Sequence, residues 1–172
     1  AVPASGNSVN KAVEQILDGS AVILCDGIKG FFSADLKKFE VRAVAEPPLQ
    51  TVTRGPREGF NECIKTNLSL LRRRIKSPNL EVINLSVGRL SKTAVAVVYI
   101  NSVAEKTLAD SIIKKIKEID IDNAADSSYI AKLISTHKGS IFKTVNYSEK
   151  PDVVTARLAE GRIAIIVDGS PI

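Results

Sequence analysis

Two stretches at opposite ends of the chain share one local grammar, and this restricts the fold more than any other feature. Near the start, an apolar helical pattern over Val9–Leu17 meets Gly19, then the apolar run Ala21–Cys25, then Asp26-Gly27. Near the end, a helical stretch from Pro151 stops at Gly161 and leads into Ile163–Val167 and Asp168-Gly169. Glycine ends helices because it enters left-handed backbone without strain, and Asp-Gly between apolar runs favours a hairpin turn for the same reason. In both stretches the Asp follows the Gly by seven residues. The order is that of a repeated helix–strand–turn unit, although general α/β grammar produces it too, and both readings stay open.

Between these units the rhythm changes. Glu81–Val87 alternates apolar and polar residues as a half-buried strand does, Gly88–Lys92 makes a turn, and Thr93–Ile100 is a strand apolar on both faces. Ser102-Val103-Ala104-Glu105 fits a capping box for a helix reaching about Glu118, with Leu108, Ile112, Ile116 and Ile119 as its stripe. Tyr129–Thr136 reads as a shorter helix. The fold class expected is α/β: two small lobes with mixed sheets and related helix–strand–turn units at the two chain ends. Residues 1–56 plus 143–172 form a discontinuous first lobe whose ends share one sheet, and 57–142 form a second αββαα lobe.

Composition supports a folded domain and excludes several functions. Apolar residues make up 44% and charged residues 25%, whereas only 5% are aromatic and Trp is absent, so Ile, Val, Leu and Ala must fill the core. No apolar run approaches the roughly 20 residues that span a bilayer, and no signal peptide opens the chain. This piece reads as soluble. With no Met and a start at Ala1, it is expected to be an excised piece of a longer protein. Cys25 and Cys63 lack C-x-x-C spacing and are read as small buried hydrophobes.

Catalytic chemistry finds no constellation. His137 stands alone before Lys138-Gly139 at a helix end, where it complements the dipole or is solvated. Asp120, Asp122 and Asp126 begin like a calcium loop, but Ala125 and Ala131 occupy the positions that need Gly and Glu, so a solvated acidic turn capping the next helix fits better. Lys92-Thr93 lacks the preceding Gly and the following helix of a phosphate loop. The chain is therefore read as non-enzymatic, without cofactor or metal.

What remains is the basic segment Arg54–Lys76. Its seven cations and two carboxylates give 7 − 2 = +5, which equals the net charge of the whole chain. Phe60, Ile64, Leu68, Leu71 and Ile75 fall on one helical face, Gly55-Pro56 suits a helix entrance, and Glu58, Glu62 and Arg72–Lys76 complement the dipole at either end. Arg72, Arg73 and Arg74 fan over about 200° at roughly 100° per residue, so they cannot share one face. Three uses stay open: a solvated or ion-paired face, a protein-interaction face, and binding of nucleic acid or lipid. No aromatic platform interleaves with the arginines, which weighs against nucleic acid.

Several motifs together resemble the A subunits of GerA-family spore germinant receptors. They are Glu46-Pro47-Pro48, Thr53-Arg54-Gly55-Pro56-Arg57-Glu58-Gly59-Phe60, Thr66-Asn67, Leu71-Arg72-Arg73-Arg74-Ile75 and Ser77-Pro78-Asn79-Leu80. Val87-Gly88-Arg89, Ile119-Asp120-Ile121-Asp122, Tyr129-Ile130 and the run from Arg157 to Pro171 continue the likeness. It holds in register from about Ala12 to the C-terminus, while Ala1–Ser8 departs from the family pattern.

The resemblance implies a soluble N-terminal domain ahead of a multi-helix membrane domain in the inner membrane of the bacterial spore. It implies a transporter-like B subunit, a lipoprotein C subunit and other A subunits as partners, in sensing amino acids, sugars or nucleosides and starting germination. It supplies no catalytic residues. On this reading the chain serves nutrient sensing, receptor assembly and signal transduction. Arg54, Arg57, Glu58, Glu62, Arg72, Arg73 and Arg74 would then be ion-pair or interaction residues linking the lobes or contacting neighbouring subunits. The alternative is a two-lobed module that itself binds the germinant.

Overall fold

A computed structural model describes residues 4–6, 8–35, 58–124, 126–135 and 145–171. The elements fall into two groups. The first contains β1 (Ala4–Gly6), α1 (Val9–Leu17), β2 (Ser20–Ile23) and β3 (Phe31–Asp35), with the strands in the order β1-β3-β2. The second contains α2 (Ile64–Arg74), β4 (Leu80–Val87), β5 (Thr93–Ile100), α3 (Lys106–Lys117), α4 (Ser127–Ile134), α5 (Pro151–Ala159) and β6 (Ala164–Val167). Its strands run β4-β5-β6.

The second group is a three-layer sandwich built on β5. Strand side chains alternate between faces. Val95, Val97 and Tyr99 therefore join Ile83, Leu85 and Val87 of β4, Val167 of β6, and Ala109, Ile116, Ile130 and Ile134 of α3 and α4. Ala96, Val98 and Ile100 join Leu71 of α2, Leu158 of α5 and Ile166 of β6. Val95 through Val98 are at most 1% exposed, which is why this strand carries no polar alternation.

The α/β class stands, but the sheets differ from expectation. Every described strand pairing is antiparallel, where mixed sheets were expected. Adjacent strands connected by turns, as β4 and β5 are at Gly88–Lys92, need no crossover. Nor do the chain ends share a sheet: β6 pairs with β5, from Val95↔Val167 to Val98↔Ala164. A strand apolar on both faces, as β5 is, needs a neighbour on each side. Helix α5 follows β6 into this group by laying Leu158 against Leu71, so described residues from 145 on pack with the second group.

Both repeated units share their backbone geometry. Gly19 and Gly161 follow their helices at φ 91 and 86, and Gly27 and Gly169 both lie at φ 80. The first Asp-Gly pair does form a turn, with the Gly27 N–H donating to Asp26 Oδ1 at 3.0 Å. Yet the ladder closes only at Ile23↔Phe32, so the turn sits inside the longer loop Leu24–Gly30 rather than forming a two-residue hairpin.

Several boundaries also move. Helix α2 begins at Ile64 with Cys63 as its cap residue, so Glu58, Phe60 and Glu62 precede it rather than forming its first turn. The apolar set survives this shift, because Phe60, Ile64, Leu68 and Ile75 all pack around Leu71. The capping box at Ser102 does not form. Helix α3 starts at Lys106, and Glu105 instead accepts a hydrogen bond from Thr107 Oγ1 at 2.6 Å. Asp126 does cap α4, accepting from the Tyr129 N–H at 2.9 Å. Both cysteines are exposed rather than buried. His137, Ala125 and residues 36–57 lie outside the described residues. Among the described residues no helix is long and apolar enough to cross a membrane.

Leu71 is fully buried between α5 and β5, so Leu71→Ala should cost about 2–5 kcal/mol in urea unfolding. Leu90→Ala, on a side chain 80% exposed, should stay within about 0.5 kcal/mol of the parent.

Candidate functional site

The basic segment resolves into an ion-pair cluster, an exposed helix face and two tethered helix ends. Arginines at consecutive positions of α2 diverge, and each meets a different environment. Arg74 is the most enclosed. Its Nη2 lies 2.7 Å from Glu58 Oε2, and its Nε lies 2.5 Å from Asp152 Oδ1 at the start of α5. Arg73 also pairs with Glu58. One guanidinium thus bridges carboxylates from two separate segments, fixing the orientation of α2 on α5.

The electrostatics follow. Burial alone would raise the Glu58 carboxyl, but hydrogen bonds from Arg73 and Arg74 override it and hold the group below the usual carboxylate range. Burial would likewise lower Arg74, and Asp152 and Glu58 reverse that. Glu58 and Arg74 are thus both held in their charged forms. Arg72, by contrast, is exposed and forms no ion pair among the described residues, and Lys65 and Ser69 share its outward face.

Both ends of α2 are tied. At its N-terminus, Asp168 Oδ1 accepts from the Ile64 N–H at 3.0 Å, and the Gly169 N–H donates to the Glu62 carbonyl at 2.7 Å. The turn after β6 thereby supplies an acceptor that the helix start lacks. The same turn reaches α4, where Ser170 Oγ donates to Ser127 Oγ at 2.9 Å. Beyond the C-terminus, Lys76 Nζ lies 2.5 Å from Asp18 Oδ1, the residue that ends α1 in the first group. Fully buried Asn67 braces the approach by accepting from the Asn61 N–H at 2.9 Å and donating to the Asn61 carbonyl at 2.6 Å.

Of the residues singled out in the sequence, the structure gathers Glu58, Arg73 and Arg74. Glu62 contributes only its backbone carbonyl, Arg72 faces outward, and Arg54 and Arg57 lie outside the described residues. Sequence reasoning missed Asp152, Asp168, Lys76–Asp18 and Asn67. Asp152 had one usable signal, a carboxylate just after Pro151 in the first turn of a helix, which marks a helix start but not its partner. The acidic stretch near Asp120 is also accounted for: Arg89 Nε lies 3.5 Å from Asp120 and 2.9 Å from Asp122. No group of three metal-ligating side chains occurs among the described residues.

Two outcomes follow. A carboxyl held below its unfolded value stabilises the fold above the ordinary carboxylate range, and that contribution is lost as pH falls through the depressed value. Glu58→Gln should therefore lower stability at neutral pH by up to about 1 kcal/mol and flatten the loss of stability as pH falls through and below the ordinary carboxylate range, read by urea titration. At the start of α2, amide and hydroxyl donors from Thr66 and the amide of Lys65 hold the exposed Cys63 thiol below its usual value. Alkylation near neutral pH should be faster at Cys63 than at Cys25, as peptide mapping would show.

Comparison with known proteins places this geometry in a family. The family model described as Bacillus/Clostridium GerA spore germination protein matches residues 4–172. Spore germination protein B1 of Bacillus subtilis (strain 168) is 38% identical over 165 residues, which is 95% of this chain and 34% of that protein. Spore germination protein KA of the same organism is 38% identical over 164 residues, 95% of this chain and 30% of its own length. The chain thus spans about a third of these relatives. The crystal structure of the N-terminal domain of the A subunit of the Bacillus megaterium spore germinant receptor GerK3 superposes with a TM-score of 0.71 at 34% identity. That match covers 99% of this chain and 60% of the other. With the family model matching nearly the whole chain and relatives at 38% identity over 95% of it, this chain belongs to the GerA family of spore germination proteins.

Proposed function

We propose that this chain is the N-terminal domain of a germinant-receptor A subunit in the spore inner membrane, serving receptor assembly and the transduction of a nutrient signal that triggers germination. The single observation that carries this reading is the tethering of α2. Eleven helical residues span about 16 Å, one end bonded toward the first group through Lys76–Asp18 and the other to the turn after β6. A displacement of the first group relative to the second is thereby coupled to that turn. The Glu58–Arg73–Arg74–Asp152 cluster keeps α2 seated on α5 while this happens. Arg72 and Lys65, exposed on the opposite side, offer charge to the B and C subunits or to another A subunit.

Charge reversal at Arg72 separates this role from folding. Arg72→Glu should leave stability within about 0.5 kcal/mol of the parent while lowering receptor level or germination rate in spores. Normal germination at normal receptor level would remove Arg72 from the proposed interface.

One observation favours a second reading, in which the two groups form a module that holds the nutrient itself. Among the described residues, the extensively packed pairs of elements lie within one group or the other. Saturable calorimetric binding of an amino acid, sugar or nucleoside to this chain would promote that reading, and flat titrations across these classes would retire it.

A further inference from the structure

The chain contains three Asp-Gly steps, Asp18-Gly19, Asp26-Gly27 and Asp168-Gly169, and no Asn-Gly. An Asp-Gly step is open to spontaneous rearrangement, because a glycine without Cβ lets its amide nitrogen approach the preceding carboxyl carbon. Exposure does not separate the three, since Asp26 and Asp168 are both exposed, as are all three glycines. Their backbones also agree, with the glycines at φ 91, 80 and 80. What differs is how the two reacting groups are bonded.

Ring closure removes the hydrogen from the glycine nitrogen and turns the carboxyl onto that nitrogen. At Asp168 both changes break contacts: Oδ1 accepts from the Ile64 N–H at 3.0 Å, and the Gly169 N–H donates to the Glu62 carbonyl at 2.7 Å. The same holds at Asp18, whose Oδ1 lies 2.5 Å from Lys76 Nζ while the Gly19 N–H donates to the Ile16 carbonyl at 3.0 Å. Closure there would strand a carbonyl without its donor. At Asp26 the two groups hold only each other. The Gly27 N–H donates to Asp26 Oδ1 at 3.0 Å, and neither group has another partner among the described residues. The turn around them is closed by the Ile28 N–H on the Cys25 carbonyl at 3.3 Å, which uses neither group. A Cβ placed on Gly27 would meet nothing within 4 Å, so the reacting pair sits in open space.

We infer that Asp26-Gly27 is a self-modification site that converts to isoaspartate, while the contacts that tether α2 protect Asp18 and Asp168. The Gly27 nitrogen bonds to Asp26 Cγ as a Cγ–O bond breaks, and that oxygen leaves as water with the amide proton and the carboxyl proton. A second water then opens the cyclic imide at the main-chain carbonyl of Asp26. The chain now runs through Cγ, and the α-carboxylate is free. Mass and charge are unchanged, and water is the sole co-reactant. The backbone of the loop gains a methylene outside the ladder, which closes at Ile23↔Phe32, so β2 and β3 stay paired while the loop between them changes with age.

The folded chain, held at neutral pH for several weeks, provides the test. Labelling with an isoaspartate-specific carboxyl methyltransferase, followed by peptide mapping with electron-transfer fragmentation, locates the modified positions. Asp26 should gain isoaspartate at least about tenfold faster than Asp18 or Asp168, the rate equivalent of about one hydrogen bond added to the barrier. In concentrated urea the tethering contacts are gone and the three rates should converge. Asp26→Glu, whose longer side chain closes the ring far more slowly, should remove the signal at position 26. The inference is overturned if Asp18 or Asp168 keeps pace with Asp26 in the folded chain, or if folded Asp26 gains no isoaspartate. It is equally overturned if the tenfold order persists in urea, or if the signal at position 26 survives Asp26→Glu.

Discussion

Burial of β5 on both faces is the condition on which the rest of the second group depends. A strand with no polar face must be covered above and below, and it must have a neighbour along each edge. The chain meets these needs with elements drawn from its middle and its end: α3 and α4 on one side, α2 and α5 on the other, β4 and β6 along the edges. At about 25 cal/mol per Å² of apolar surface, such burial is the largest favourable term in a domain of this size. It explains why residues more than sixty positions apart, such as Leu71 and Leu158, share one cluster.

With the helices placed by that burial, the charges of α2 acquire separate duties. Arg74 is near enough to α5 for its guanidinium to be held between Asp152 and Glu58, which offsets the cost of its partial desolvation. Arg72, two positions earlier, is rotated about 200° away and stays in water. Lys76, past the helix end, reaches the other group. The net positive charge of the segment is the sum of distinct local arrangements rather than a single electropositive face.

The sequence made the elements legible more readily than their partners. Helix α1, the β4 and β5 strands, the Asp126 cap and the shared face of Phe60, Ile64, Leu68, Leu71 and Ile75 follow from periodicity and short-range chemistry, which act over a few residues. Pairing of β6 with β5 was not legible, because an apolar strand followed by Asp-Gly looks the same at either end of the chain. The start of α2 was misplaced for a related reason. Glu58 and Glu62 suit a first helical turn by charge, but the helix begins where Asp168, more than a hundred residues later, supplies the acceptor for the Ile64 N–H. Glu58, Arg73 and Arg74 stood out by composition, whereas Asp152, which completes their cluster, is visible only once α5 lies against α2.

The exposed pair between Lys76 and Asp18 has an energetic consequence of its own. Surface ion pairs of this kind contribute about 0–1 kcal/mol, close to thermal energy. Where such a contact joins two groups of elements, the arrangements with and without it differ in population on its account by no more than about fivefold. A ligand or neighbouring subunit preferring one arrangement by a single order of magnitude in affinity, about 1.4 kcal/mol, would then reverse the preference. Two groups joined in this way need only weak discrimination to change their arrangement.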